Sequence, residues 1–474
     1  MMRLPGLVLG TLLLLWPLAA LAAGSDPITP VLLGVTAILF FAVIGRHAAL
    51  KLGAPSVLGE LLMGMLLGNL GYYLGVEQIL VLREGSGVFE MIELSFRGEP
   101  LAQAAIERFG AHGDELLHIL QGPNGVALLQ VAHAVDIFSR YGVIFLLFLV
   151  GLETSLEEMR RVGAASARVA VIGVVLPFVL GFAVARALMP EASINTDLFV
   201  AAALGATSVG ITARVLRELG ALQRREAKVI LGAAVIDDIL GLILLAIVSG
   251  IVVSGRFNAT DLVRIVLLAL LFLWAAIRLG PYLLRWLVSL VHRLDIVEAK
   301  MLVSFLFVMA LSWAASLVGL ATIVGAFAAG VILHEGYFAH WNARDRRPLT
   351  VKELVMPLEV ILVPIFFVLM GLQVKLEALL QPDALMLAAA LTVAAILGKL
   401  FAGMGAGREG GWLAIGLGML PRGEVGLIFA SLGHSLGVID DTLFSAIVMM
   451  VIVTTLLAPP LLKWRLKTTT PVRQ

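Results

Sequence analysis

The sequence predicts an all-α polytopic membrane protein, and three observations carry that prediction. Of the 474 residues, 60% are hydrophobic and only 14% are charged, where soluble domains carry about 25% charged residues. Apolar runs near the ~20 residues that span a bilayer recur along the chain. Lysine and arginine gather between those runs with a strong bias to one side. The formal net charge of +1 gives no electrostatic footing for nucleic acid. The absence of cysteine removes disulfides, thiol catalysis and cysteine metal sites.

In chain order, residues 1–23 form a signal-like segment. Arg3 precedes an apolar run from Leu4 to Leu21, and Ala20-Leu21-Ala22 has the small-residue pattern of a cleavage site; an uncleaved first helix is the alternative. Thirteen transmembrane helices are expected after it, near 30–50, 55–75, 135–153, 166–189, 195–219, 225–253, 261–290, 297–318, 319–336, 353–375, 384–407, 411–436 and 441–462. Segments one to six form a first membrane repeat, 30–253, and segments eight to thirteen a second, 297–462. Residues 261–290 are the linking helix, and 463–474 a short cytoplasmic tail. With the N-terminus outside, 23 lysines and arginines face the cytoplasm and eight face out, setting aside Arg3, Lys399 and Arg422. The orientation is therefore N-out and C-in. Residues 76–134 become an extracytoplasmic insertion rich in glutamate, read as a solvated spacer with a partner site as the alternative, in which 100–121 reads as one amphipathic helix lying at the interface.

Segment six carries two adjacent carboxylates, Asp237 and Asp238, near the middle of an apolar run. One charge at that depth costs roughly 2.5–3.5 kcal/mol, and such acids mark ion or proton paths. Neighbours on a helix point about 100° apart, so the pair can serve two faces: one a fixed countercharge, the other a wet cavity. A pair of satisfied structural acids is the bland alternative.

Segments five and twelve are interrupted. In the first, Gly205-Ala206-Thr207-Ser208-Val209-Gly210 sets two glycines around a hydroxyl pair. Unwound backbone that lines a cavity frees carbonyls for a cation, and Thr207 and Ser208 add hydroxyl oxygens. A kinked helix with hydroxyls bonded back to its own turn is the plain alternative. In the second, Gly418-Met419-Leu420-Pro421-Arg422-Gly423-Glu424 stops the helix and buries Arg422 and Glu424, which need partners. Breaks in corresponding segments of the two halves point to an inverted-repeat transporter. Seven segments separate them, so the repeats are opposite in orientation. Lys399 in segment eleven is too deep to snorkel; Asp237 or Asp238 is its economical partner, and Glu424 the structural alternative. Asp238, Asp237 and Thr207 are the expected oxygen ligands of a transported metal cation.

A channel needs a filter and an enzyme a nucleophile–base pair or metal motif; neither pattern is visible, and no cofactor is called for. Taken together, Gly205-Ala206-Thr207-Ser208, Ile236-Asp237-Asp238, Gly398-Lys399 and Pro421-Arg422-Gly423-Glu424-Val425-Gly426 resemble the monovalent cation:proton antiporter-2 family, on its bacterial sodium/proton antiporter side. The resemblance runs from about residue 30 to 462. It implies a core ion-translocation domain and a dimerisation domain, hence a homodimer among the lipids of the bacterial inner membrane, working by elevator-like alternating access. It implies that Asp238 is the main ion and proton carboxylate, that Asp237 pairs with Lys399, and that Thr207 and Ser208 flank the site. Potassium-efflux relatives often carry glutamine or asparagine before that aspartate; aspartate here implies electrogenic exchange of Na+ or Li+. The alternative is a K+/H+ antiporter or efflux system without a nucleotide-gating domain in cis. The 76–134 insertion departs from the family pattern.

Overall fold

The computed structural model describes residues 26–468, except 27, 54–55, 86, 97–98, 110–112, 154–162, 208–211, 213–215, 217–220, 222–223, 255–258, 293–298, 319, 339–348, 381, 408–410 and 423. The signal-like segment 1–23 and residues 469–474 of the tail lie outside the described residues, as do several side chains within helices.

Every regular element among the described residues is helical. The described residues begin with α1 (Thr29–Lys51) and α2 (Ser56–Tyr73). The insertion folds as α3 (Glu77–Arg83), α4 (Gly87–Phe96), α5 (Leu101–Phe109) and α6 (Gly113–Gln121). There follow α7 (Gly125–Glu153), α8 (Ala164–Leu188), α9 (Ile194–Gly205), α10 (Arg225–Ser254), α11 (Ala259–His292), α12 (Ala299–Leu317) and α13 (Thr322–Ile332). The chain continues through α14 (Val351–Leu372), α15 (Leu376–Leu379), α16 (Pro382–Ala402), α17 (Trp412–Gly418), α18 (Glu424–Ser435) and α19 (Asp441–Thr468). Eight described helices, α1, α7, α8, α11, α12, α14, α16 and α19, are long and apolar enough to cross a membrane. In such surroundings only helices satisfy their own backbone groups.

The chain forms two compact units that interleave in sequence. The first comprises residues 1–142 and 360–377, the second 143–359 and 378–474. In the first unit, glycine lets backbones touch, as membrane helix seams require. A methyl group on Gly59 of α2 would stand 2.1 Å from the Gly45 carbonyl of α1. Further along α2, Gly64 and Gly68 press on the backbone of Val368 and Leu372 in α14. Glu60 accepts from Arg46 Nε at 2.9 Å, a structural pair. The insertion is anchored by Arg83, which reaches Asn69 Oδ1 at 3.1 Å and Glu377 at 2.5 Å and lies 4.4 Å over the Tyr72 ring.

The stretch expected as one amphipathic helix is two, α5 and α6. Gly110 and Gly113 fall at the join, where glycine weakens a helix by about 1 kcal/mol. A methyl group at Gly113 would stand 2.4 Å from the Ala105 carbonyl, so the two helices fold onto each other there.

The second unit holds the interrupted segments. Its core packs Val169 and Ala170 of α8 with Ile230, Ala233 and Ala234 of α10, and with Ile415 and Met419 from the second break. α16 crosses α8 at Gly398, where any side chain would meet Pro177 at 2.7 Å. This crossing brings Lys399 against α10.

Candidate functional site

α9 begins with a side-chain cap, Ser193 Oγ accepting from Thr196 N at 3.1 Å. It stops after Gly205, because Ala206 turns into extended backbone at φ −65°, ψ 146°. A helix end leaves its last carbonyls without a donor in the helix, and together they carry about half a negative charge. Two protein cations take them. Lys399 Nζ donates to the Gly205 carbonyl at 2.6 Å. Arg422 Nη1 donates to Ala206 O at 3.1 Å, to Leu204 O in close contact, and to Ala203 O at 3.4 Å.

The second break is answered in kind. α17 ends at Gly418, and the carbonyls of Gly418 and Met419 accept from Thr212 Oγ1 at 2.7 Å and Thr207 Oγ1 at 3.3 Å. Each interruption thus supplies donors for the carbonyls of the other. Arg422 is held in turn by α19, where Thr455 Oγ1 donates to its carbonyl, and it reaches Ala395 O of α16 at 3.5 Å.

Against this crossing stands an ion pair with no access to solvent. Lys399 Nζ lies 3.1 Å and 3.4 Å from the two carboxylate oxygens of Asp237, and both side chains are buried. The ammonium is therefore shared between a carboxylate on α10 and the broken end of α9, and its shorter contact is to the carbonyl. Asp238 follows on α10, Glu424 begins α18, and Ser208 follows Thr207; the side chains of Asp238 and Glu424, and the whole of Ser208, lie outside the described residues. Among the described residues no cluster of three or more acidic or histidine side chains offers a ready metal cage.

Of the residues singled out from sequence, the structure brings Thr207, Asp237, Lys399 and Arg422 together. The sequence reading left freed carbonyls of the first break open to a cation; those of residues 203–206 accept from Lys399 and Arg422. The negative end of a half-helix in an apolar interior attracts whichever positive charge is tethered nearby. Thr212 and Thr455 went unassigned from sequence, since their partners are 206 and 33 residues away. Asp197 was also missed. Its side chain is fully buried at the start of α9 and meets Arg186 of α8; an acid in the first turn of an interrupted segment was the available signal.

The family model described as "Sodium/hydrogen exchanger, transmembrane" matches residues 35–468. The chain is 37% identical over 466 residues to the high-affinity Na+/H+ antiporter NhaS3 of Synechocystis sp., covering 95% of this chain and 94% of that protein. It is 35% identical over 361 residues to the Na+/H+-K+ antiporter GerN of Bacillus cereus, covering 74% of this chain and 88% of that one. Among solved structures it resembles the sodium proton antiporter MjNhaP1 from Methanocaldococcus jannaschii, with a TM-score of 0.58 and 17% identity over 94% of this chain and 98% of that one. That likeness is one of fold.

Proposed function

Because the chain belongs to the sodium/hydrogen exchanger family, we propose that the crossing of its two interrupted segments is where a cation and protons compete for the same carboxylates. The protein is a transporter, and it exchanges sodium for protons. The observation that carries the site is the buried Asp237–Lys399 pair lying against the broken end of α9.

Asp238 is the carboxylate that holds either the cation or a proton, about 100° around α10 from Asp237. The segments that converge here carry Asp237, Asp238 and Glu424 against Lys399 and Arg422. Their formal sum is one negative charge in excess, which suits one monovalent cation or one proton. Thr207 keeps its lone pairs for a cation while its hydroxyl hydrogen goes to Met419 O. Ser208 is the second hydroxyl beside it. A cation arriving at Asp238 expels the proton, and a proton arriving later expels the cation; alternating access turns that competition into exchange. Separation of Asp237 from Lys399 during the cycle lets a second proton move, which makes the exchange electrogenic.

Around this site we read thirteen crossings in two inverted repeats, with the N-terminus out and the C-terminus in, in a homodimer of the bacterial inner membrane. The match between the apolar segments and the helices supports the crossings, the reciprocal capping of the two breaks supports the repeats, and the bias of lysine and arginine between the segments supports the orientation. Potassium as a second substrate is favoured by one observation: the Bacillus cereus relative is named for both ions.

The test is cation-driven proton release from proteoliposomes, titrated with Na+, Li+ and K+. Asp238→Asn, checked for folding, is expected to lose cation binding and proton release together. Robust exchange by that variant moves the site to Asp237 or Glu424.

A further inference from the structure

The glycines around the ion pair are of two kinds. At Gly398, Gly403 and Gly416 a methyl group would meet its neighbours at 2.7, 2.0 and 2.6 Å, so no other residue fits without movement. At Gly173 of α8 the same methyl group would stand 3.5 Å from Ala402 Cβ, 3.6 Å from Lys399 Nζ and 3.7 Å from Asp237 Oδ1. Those are ordinary van der Waals distances. Close packing therefore does not require glycine at 173. What glycine leaves there is a methyl-sized notch whose far wall is the ion pair.

A second feature of α8 falls on the same residue. Pro177 lies inside the helix, four residues on. Proline has no N–H, so the Gly173 carbonyl loses its helical donor. In an apolar interior a freed carbonyl takes water or another donor. A notch bordered by a carboxylate and an ammonium, on a helix turn whose Gly173 carbonyl lacks its usual donor, is polar enough to hold a water molecule.

We propose that Gly173 is a specificity-determining position: its notch lets a cation held by Asp238, beside the Asp237–Lys399 pair, keep one water molecule. This rests on the reading that the Asp237–Lys399 pair borders the ion site. Filling the notch strips that oxygen from the cation's shell. The loss falls hardest on the ion that needs the most room and the most ligands, K+, then Na+, and least on Li+.

The full-length protein in proteoliposomes tests this with Gly173→Ala and Gly173→Ser, apparent KM being measured for Li+, Na+ and K+. Gly173→Ala is expected to fold, and to raise the KM ratio of K+ to Li+ by about tenfold, the lower end of what one added carbon changes in a discriminating pocket. Gly173→Ser, whose hydroxyl supplies an oxygen where the water stood, is expected to return part of the wild-type ratio. Val179→Ala, on the exposed face of the same helix, controls for substitution on α8 and is expected to leave the ratio unchanged. A folded Gly173→Ala protein with the wild-type ratio, or with all three KM values scaled by one factor, overturns the proposal. So does failure of Gly173→Ala to fold, since the proposal asserts free space. Retained exchange in Asp238→Asn sinks the site reading instead, and the ratio judges Gly173 separately.

Discussion

Two buried cations, one in each unit, are held in opposite ways. Arg83 in the first unit meets Glu377 at 2.5 Å, Asn69 at 3.1 Å and the face of Tyr72. Lys399 in the second unit has its carboxylate at 3.1 Å and a carbonyl closer, at 2.6 Å. Arginine stays charged in proteins and binds through a rigid planar fork; lysine is a point charge that can release its proton and swivel between acceptors. The first arrangement offers one geometry. Both cations bridge two helices, but the ammonium can swivel between its carboxylate and its carbonyl, so moving either helix redistributes it without stranding it. A fixed cation makes an anchor, and a shared one makes a part that can take two positions.

The comparison breaks most sharply at Lys399. Removing one partner of a buried pair leaves the other unpaired, at about 3–5 kcal/mol. Asp237→Asn or Lys399→Gln alone is therefore expected to lower the thermal unfolding midpoint markedly, and the double variant to recover most of it. Exchange remaining in the double variant should carry no net charge. Current of wild-type size from it on a supported membrane contradicts the coupling role of the pair.

Arg83→Lys sharpens the other side. It keeps the charge and loses the fork and the stacking, so a loss of about 1.5–3 kcal/mol is expected, the range of a hydrogen bond to a charged group. Apparent KM for sodium should stay at the wild-type value; a change there removes Arg83 from the purely structural class. The smallest effect belongs to Asp136→Asn. Its partner Arg140 lies one turn along α7 and is largely exposed, and such pairs contribute about 0.3–0.5 kcal/mol. Unfolding curves should barely separate from the wild type.

Long apolar runs made the spanning helices legible in sequence, because ~20 such residues have few other uses. The two breaks were legible for a similar reason: Gly205 and Gly210, and Pro421 and Gly423, are residues a continuous helix avoids. What fills the breaks was not legible. Whether a carbonyl at Leu204 faces a cation, a water or Arg422 depends on a contact across 218 residues, and no local pattern encodes it. Gly173 was hidden more thoroughly, since a glycine kept for space and one kept for contact read alike until their surroundings are known. The insertion misled in a simpler way. Its apolar spacing ran through Gly110 and Gly113, and only the contact of Gly113 with Ala105 turns one expected helix into two.

The reciprocal capping of the breaks has a consequence for how the protein is made. The carbonyls at the end of α9 leave the ribosome 194 residues before Lys399 and 218 before Arg422. At the usual 5–20 residues per second, that interval is about 10–40 s. Throughout it the end of α9 lacks the two cations that take its carbonyls in the folded protein. Water, lipid headgroups or the insertion machinery must shelter that end until α16 arrives. A chain stalled or truncated before residue 399 is therefore left with an open break, which gives membrane quality control a specific defect to recognise.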